Sequence, residues 1–163
     1  MLYPVPAVLV SLRDKDGNDN VLTVAWAGTI CSDPAMLSIS VRKERHSYKM
    51  IRESGVFVVN LTTKNLVRAT DYCGVKSGRD EDKFVTAHLT KGEAEKINAP
   101  IIMESPVNIE CKVKQVVERG SHDMFIAEIL NVQVSEEYMD DKGAFHLEDT
   151  DLIAYSHGQY YEL

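Results

Sequence analysis

The sequence predicts a mainly β protein, an antiparallel barrel with short helices inserted between its strands. Three observations carry this. β-Branched and aromatic runs recur at short intervals, polar turn clusters separate them, and the two helical stretches are inserted instead of alternating with strands. Regular β–α alternation would mark a parallel doubly wound sheet; strands following strands favour antiparallel pairing, and closure into a barrel removes exposed edges. The 163 residues fit one domain, 1–163, long enough to bury a core without disulfide staples.

In chain order, residues 7–12 are an apolar run, and 13–19 read as a turn because Asp, Asn and Gly tolerate left-handed backbone. Residues 21–27 resume a strand and complete a hairpin, then run into a loop of small residues ending at Asp33-Pro34. In 36–42, Leu37, Ile39 and Val41 alternate with Ser38, Ser40 and Arg42, the period of a half-buried strand. Residues 47–54 read as a helix with Ser47 as N-cap and Gly55 as the C-terminal stop. Residues 56–61 are the most strand-like run. Thr63 can cap a second helix over 64–73, ended by Gly74. Residues 77–83 read as a polar loop or single helical turn, and a helical turn is expected at 93–96. Residues 107–117 and 124–134 are two long strands paired across the turn 118–121. A turn at 140–143 and a short strand at 152–156 finish the chain.

Composition narrows the function. A net charge of −7 argues against a basic face for nucleic acid. No basic stretch followed by an apolar run opens the chain, and no apolar segment approaches the ~18 residues that span a bilayer. Cys31, Cys73 and Cys111 are separated and odd in number, which fits a reducing cytoplasm and no disulfide framework. Neither G-x-G-x-x-G nor G-x-x-x-x-G-K-[ST] occurs. The stretch 14–20 has a calcium-loop look, but Gly17 is misplaced and Ala25 stands where the bidentate Glu belongs, so a plain turn is expected. No zinc spacing appears. Cys31 or Cys73 could meet His46 or His122, but no spacing supports it, and an internal free Cys is more often a small buried hydrophobe.

Three segments hold polar groups that a plain barrel does not need. After the strand at 21–27, Gly28, Thr29 and Ser32 form a small-residue stretch that a flat ring could approach closely. At 40–48, Arg42, Lys43 and Arg45 precede a helix N-terminus together with His46 and Ser47; such a corner suits a monophosphate, and also fits a solvated strand–helix junction. At 119–123, His122 sits in a hairpin turn, where a His is usually incidental.

Taken in order, these segments resemble the flavin reductase-like proteins, flavoredoxins included. The likeness is carried by N-x-x-T-x-A-W at 20–26, Cys31-Ser32-Asp33-Pro34, Ser40-Val41-Arg42, Arg45-His46-Ser47, the strand 55–61, and Ser77-Gly78-Arg79-Asp80-Glu81-Asp82-Lys83-Phe84, similar to the family's S-G-x-x-x-D-K-F loop. Gly120-Ser121-His122 is similar to its G-D-H turn, with Ser121 where Asp is usual. The resemblance spans about 4–155. It implies an FMN-binding split β-barrel acting as a homodimer with flavin near the interface. It implies that Thr29, Ile30, Cys31 and Ser32 present N–H and hydroxyl groups to the ring, with Trp26 in the core or bordering it. Arg42, His46 and Ser47, with Arg45 a weaker candidate, would hold the phosphate. Asn60, Leu61 and Thr62 would reach the phosphate or ribityl chain, and Lys83 would close the site, from the same or the partner subunit. His122 would lie beside the ring and guide the nicotinamide or stabilise reduced flavin.

The resemblance implies an oxidoreductase in which NAD(P)H reduces FMN and electrons pass to free flavin, ferric iron or a redox protein. A flavoredoxin-type carrier that does not use NAD(P)H, or a non-redox ligand-binding split barrel, remain the alternatives on the same scaffold.

Overall fold

The computed structural model describes residues 2–163. A short strand, β1 (Val5–Pro6), leads into a hairpin of β2 (Val8–Arg13) and β3 (Asp19–Val24). The turn between them forms as expected: Asp14 Oδ1 accepts the backbone N–H groups of Asp16 and Asn18 at 2.9 and 2.8 Å. A second hairpin follows, β4 (Ala27–Ser32) and β5 (Ala35–Arg42). Here the expected small-residue loop is instead a strand. β5 offers a free edge, and pairing with it satisfies the backbone of 27–32.

The helix α1 (His46–Ser54) ends as expected at Gly55, whose φ of 70° closes it in the left-handed position with N–H to Ile51 O at 2.9 Å. Its N-cap is Arg45, not Ser47, which lies inside the first turn. β6 (Val56–Asn60) precedes a 3-10 turn, Lys64–Leu66, and α2 (Val67–Val75). α2 runs through Gly74 instead of stopping there; the missing side chain lets the helix lie close on β3, where a Cβ would meet Thr23 Cβ at 3.4 Å. α3 (Lys83–Thr86) is one turn, capped by Asp82 Oδ1, which accepts the Phe84 N–H at 3.0 Å. Where a helical turn was expected at 93–96, β7 (Lys91–Glu93) and β8 (Pro100–Ile102) form a small hairpin. β9 (Val107–Val117) and β10 (His122–Val134) are the expected long pair. β11 (Ile153–Ser156) and β12 (Gln159–Glu162) join β1 in a separate three-stranded sheet.

The main sheet is antiparallel with strand order β3-β2-β6-β9-β10-β5-β4. It curls until its far strands share one core: Leu22 and Val24 of β3 pack with Leu37, Ile39 and Val41 of β5, around Val10, Phe57 and Phe125. β3 and β5 are not hydrogen-bonded neighbours, so the barrel closes through side chains and stays split. On the outer face, Leu9 and Val21 are covered by Leu66, Ala69 and Cys73 from the α2 region and by Phe84 of α3. β2 is therefore buried on both faces, which explains its unbroken apolar run.

Glu110 of β9 is fully buried. It accepts the backbone N–H groups of Glu95 and Lys96 at 3.0 and 2.7 Å, and the side-chain amides of Asn131 and Gln133, each at 2.9 Å. Burial alone would raise its carboxyl, but these donors together hold it below its ordinary value. Glu110→Gln sets an amide against four donors and should cost about 2–3 kcal/mol in urea unfolding. A lowered native pKa stabilises the fold above the unfolded pKa, and that contribution disappears as pH falls through the native value. The urea curves of wild type and E110Q should therefore converge in acid; a pH-independent gap would show that the carboxylate charge is not what matters.

Candidate functional site

Arg42 ends β5, and the chain turns a tight corner into α1, with the Arg45 N–H bonded to Arg42 O at 3.1 Å. The first turn of α1 carries no side-chain cap and no acidic residue, so its positive end is open. Residues 76–83 face this corner across a cavity of about 290 Å³. Arg42, Arg45, Lys76, Arg79 and Lys83 line it against one carboxylate, Glu44. In a chain of net charge −7 this is a local reversal of sign.

Each wall has a physical reason. Arg79 Nη2 donates to Glu44 O at 3.1 Å and ties the two sides together. Phe84 is anchored in the outer core, and Asp82 caps the turn that carries it, so Lys83 between them is drawn inward. Lys83 is 3% exposed, and its Nζ donates to Cys73 O and Lys76 O, both at 3.1 Å. Those carbonyls use two ammonium protons and leave one for a ligand. Burial pushes the Lys83 pKa down to about 8. Burial, then the nearby Arg79 and Lys83, likewise lowers His46.

A second cavity of about 320 Å³ adjoins the first, sharing Leu22, Arg42 and Arg45 with it. It is lined by the 22–26 segment together with Ser40, His122 and Tyr155. The β5–β10 register places His122 opposite Arg42. Trp26 is 45% exposed and stacks on His122 with ring centroids 4.3 Å apart. Burial, then the Arg42 charge, lowers the His122 pKa and favours the neutral ring. Ser121 Oγ lies 2.8 Å from His122 Nδ1. The turn itself is held by buried Asp123, which accepts the Tyr48 hydroxyl at 2.6 Å and the Arg119 N–H at 2.9 Å.

The structure thus brings Arg42, Arg45, His46, Ser47 and Lys83 into one cavity, Lys83 from the same chain, and sets His122 in the adjoining one. Other expected site residues lie elsewhere. Thr29, Ile30, Cys31 and Ser32 are on the edge strand β4 and line neither cavity; the segment beside the cationic corner is 22–26. Asn60 is fully buried as a hub, donating to Leu9 O and Ser11 Oγ and accepting the Ile102 N–H. Thr62 donates to Ala7 O, and Leu61 and Thr62 line an apolar cavity beside β1 and β11. Trp26 is not core. Sequence reading missed Asn20, Lys76, Ser77, Gly78 and Arg79 as lining residues, although the S-G-x-x-x-D-K-F pattern pointed at three of them. Cys73 and Cys111 are buried, and burial pushes their thiols up to about 11 and about 12, which makes them inert core residues.

Comparison with known proteins agrees with this architecture. A flavin reductase like domain model matches residues 1–163. The flavoredoxin of Desulfovibrio vulgaris (Miyazaki F) superimposes with a TM-score of 0.92 at 35% identity, over 100% of this chain and 88% of that one. The flavoredoxin of Methanosarcina acetivorans gives 0.91 at 28% identity, over 100% and 87%. An uncharacterized protein of Archaeoglobus fulgidus is 34% identical over 142 residues, 86% of this chain and 78% of that one.

The Lys83 geometry generates a pH prediction. Its ammonium is charged below its pKa and neutral above, so inorganic phosphate should bind more weakly as pH rises past about 8. A bound anion stabilises the charged form and moves that limb upward, never downward. Calorimetric titration of Lys83→Met should show weaker binding at neutral pH and no alkaline limb. An unchanged profile in the variant would assign the limb to another group.

Proposed function

Because the chain belongs to the flavin reductase-like family, we propose that it binds FMN across the two joined cavities and passes electrons from NAD(P)H to an acceptor. The observation that carries this reading is the continuity of a cation-lined cavity with a second one lined by the 22–26 segment and the Trp26–His122 aromatic pair. The residues fit the group. A phosphate monoester matches five cations, an uncapped helix end and the Ser47 hydroxyl, and the exposed ring of Trp26 beside His122 suits a planar ring. Arg42, Arg45, His46, Ser47 and Lys83 would hold the phosphate. Bound FMN would supply the redox chemistry, accepting two electrons from a reduced nicotinamide and releasing them to free flavin, ferric iron or a redox protein.

The chain's own residues would position and tune. Arg42 lies on the boundary between the cavities, so its charge acts on both. His122, neutral at physiological pH and backed by Trp26, offers a hydrogen-bonding ring at the rim without adding charge there. The reading includes a homodimer with the flavin near its interface. The exposed apolar row Met124, Leu130, Val132 and Val134 on β10, with Ile30 on the edge strand β4, supports it. A monomer mass in light scattering would remove that element.

A second reading, a flavoredoxin-type carrier that does not use NAD(P)H, is favoured by the 35% identity to a flavoredoxin and by an acidic surface suited to basic redox partners. Purified protein should be yellow and yield FMN on extraction. A colourless protein that takes up no added FMN would overturn both readings. Anaerobic mixing with NADH or NADPH then separates them: turnover supports the reductase, and none with FMN bound leaves the carrier.

Two substitutions test the division of labour. Arg42→Ala should weaken FMN binding by about 1–3 kcal/mol, the loss of a charged hydrogen bond. His122→Ala should slow flavin reduction while largely sparing FMN affinity. The opposite pattern would reassign both residues.

A further inference from the structure

We propose that Asn20 is the positioning residue of the phosphate site, holding the Ser47 hydroxyl so that its proton points at a phosphate monoester, with Gly78 giving the Asn20 amide its place. The inference rests on the FMN reading above and deepens it. Asn20 lies on β3 and Ser47 in the first turn of α1, 4% and 2% exposed, and both line the cationic cavity. Asn20 Nδ2 donates to Ser47 Oγ at 2.7 Å. A serine hydroxyl has one proton to give. With Oγ already accepting, that proton is directed away from Asn20, and it reaches no acceptor in the chain among the described residues. The free direction belongs to the cavity, at the positive end of a nine-residue helix.

The amide works only in one orientation. Turned over, its oxygen would face Ser47 and take the proton the ligand needs. Gly78 sits against the same amide: a Cβ there would press first on Asn20 Oδ1 and lie 2.6 Å from Cγ and 2.9 Å from Nδ2, so any side chain at 78 would push the amide out of place. Gly78 of the 76–83 wall is therefore matched to Asn20 of β3. This gives the Asn at the head of the 20–26 segment a role that strand formation does not require.

The test measures dissociation constants for FMN and riboflavin, which differ by the phosphate alone. Ser47→Ala should weaken FMN roughly tenfold or more and leave riboflavin unchanged. Asn20→Ala should weaken FMN by a smaller factor, since the released hydroxyl samples other directions, and should add nothing in the Ser47→Ala background. Gly78→Ala, which displaces the amide, should reproduce Asn20→Ala and carries the same test if that variant does not fold. Equal losses for FMN and riboflavin, or a full Asn20 effect without Ser47, would make Asn20 a structural residue and overturn the proposal. Wild type binding FMN no better than riboflavin would overturn the phosphate reading itself.

Discussion

The site depends on how the barrel closes. β3 and β5 meet through Leu22, Val24, Leu37, Ile39 and Val41 and not through a hydrogen-bonded ladder. A backbone ladder between them would seal the sheet and leave no cleft. Closure through side chains buries the inner faces and leaves the edge of β3 unpaired, facing the end of β5 at Ser40 to Arg42 across a gap. The chain crosses that gap at Ala25-Trp26, where the Trp26 carbonyl accepts the Ser40 N–H at 2.9 Å. Trp26 is exposed for this reason: it stands at the crossing and not on either inner face.

The second wall comes from the helical layer. Leu9 and Val21 need cover on the outer face of the sheet, and Leu66, Ala69 and Phe84 supply it. Anchoring Phe84 fixes the loop before it, and with it a nearly buried ammonium. Removing Lys83 from water is unfavourable, and two carbonyl acceptors offset only part of the loss, which is why its pKa falls. Five cations around one cavity also repel one another. Glu44 is the one carboxylate lining the cavity, and an anion placed there would convert the remaining mutual repulsion into attraction.

Much of this was legible in the sequence because it rests on local rules. Period-2 alternation marked β5, a left-handed glycine marked the end of α1, and the cluster Arg42 to Ser47 marked a corner that lines the cationic cavity. What was not legible depended on partners distant in the chain. The 27–32 segment reads as a loop by its small residues and becomes a strand only because β5 has an unpaired edge. Asn60 reads as a site residue by its motif, yet its amide joins β2, β6 and β8 in the interior. Ser47 reads as a cap, but its hydroxyl is engaged by Asn20, 27 residues earlier. Polar side chains in motifs are ambiguous between holding the fold and holding a ligand, and the burial of their neighbours decides.

The two cavities differ in what they stand on, and this matters for function. The cationic end is built on a helix terminus, a strand end and a loop tied by Arg79 and Gly78, elements whose positions are fixed from several sides. The far end is built on a hairpin turn and on half-buried His122 stacked against exposed Trp26. Asp123 links them: it follows His122 on β10, yet its carboxylate accepts the hydroxyl of Tyr48 in the first turn of α1. The His122 turn is therefore tied to the same helix whose first turn lines the cationic cavity. A ligand held at the cationic end would thus meet, at the far end, a turn braced by the Asp123–Tyr48 bond against the same helix.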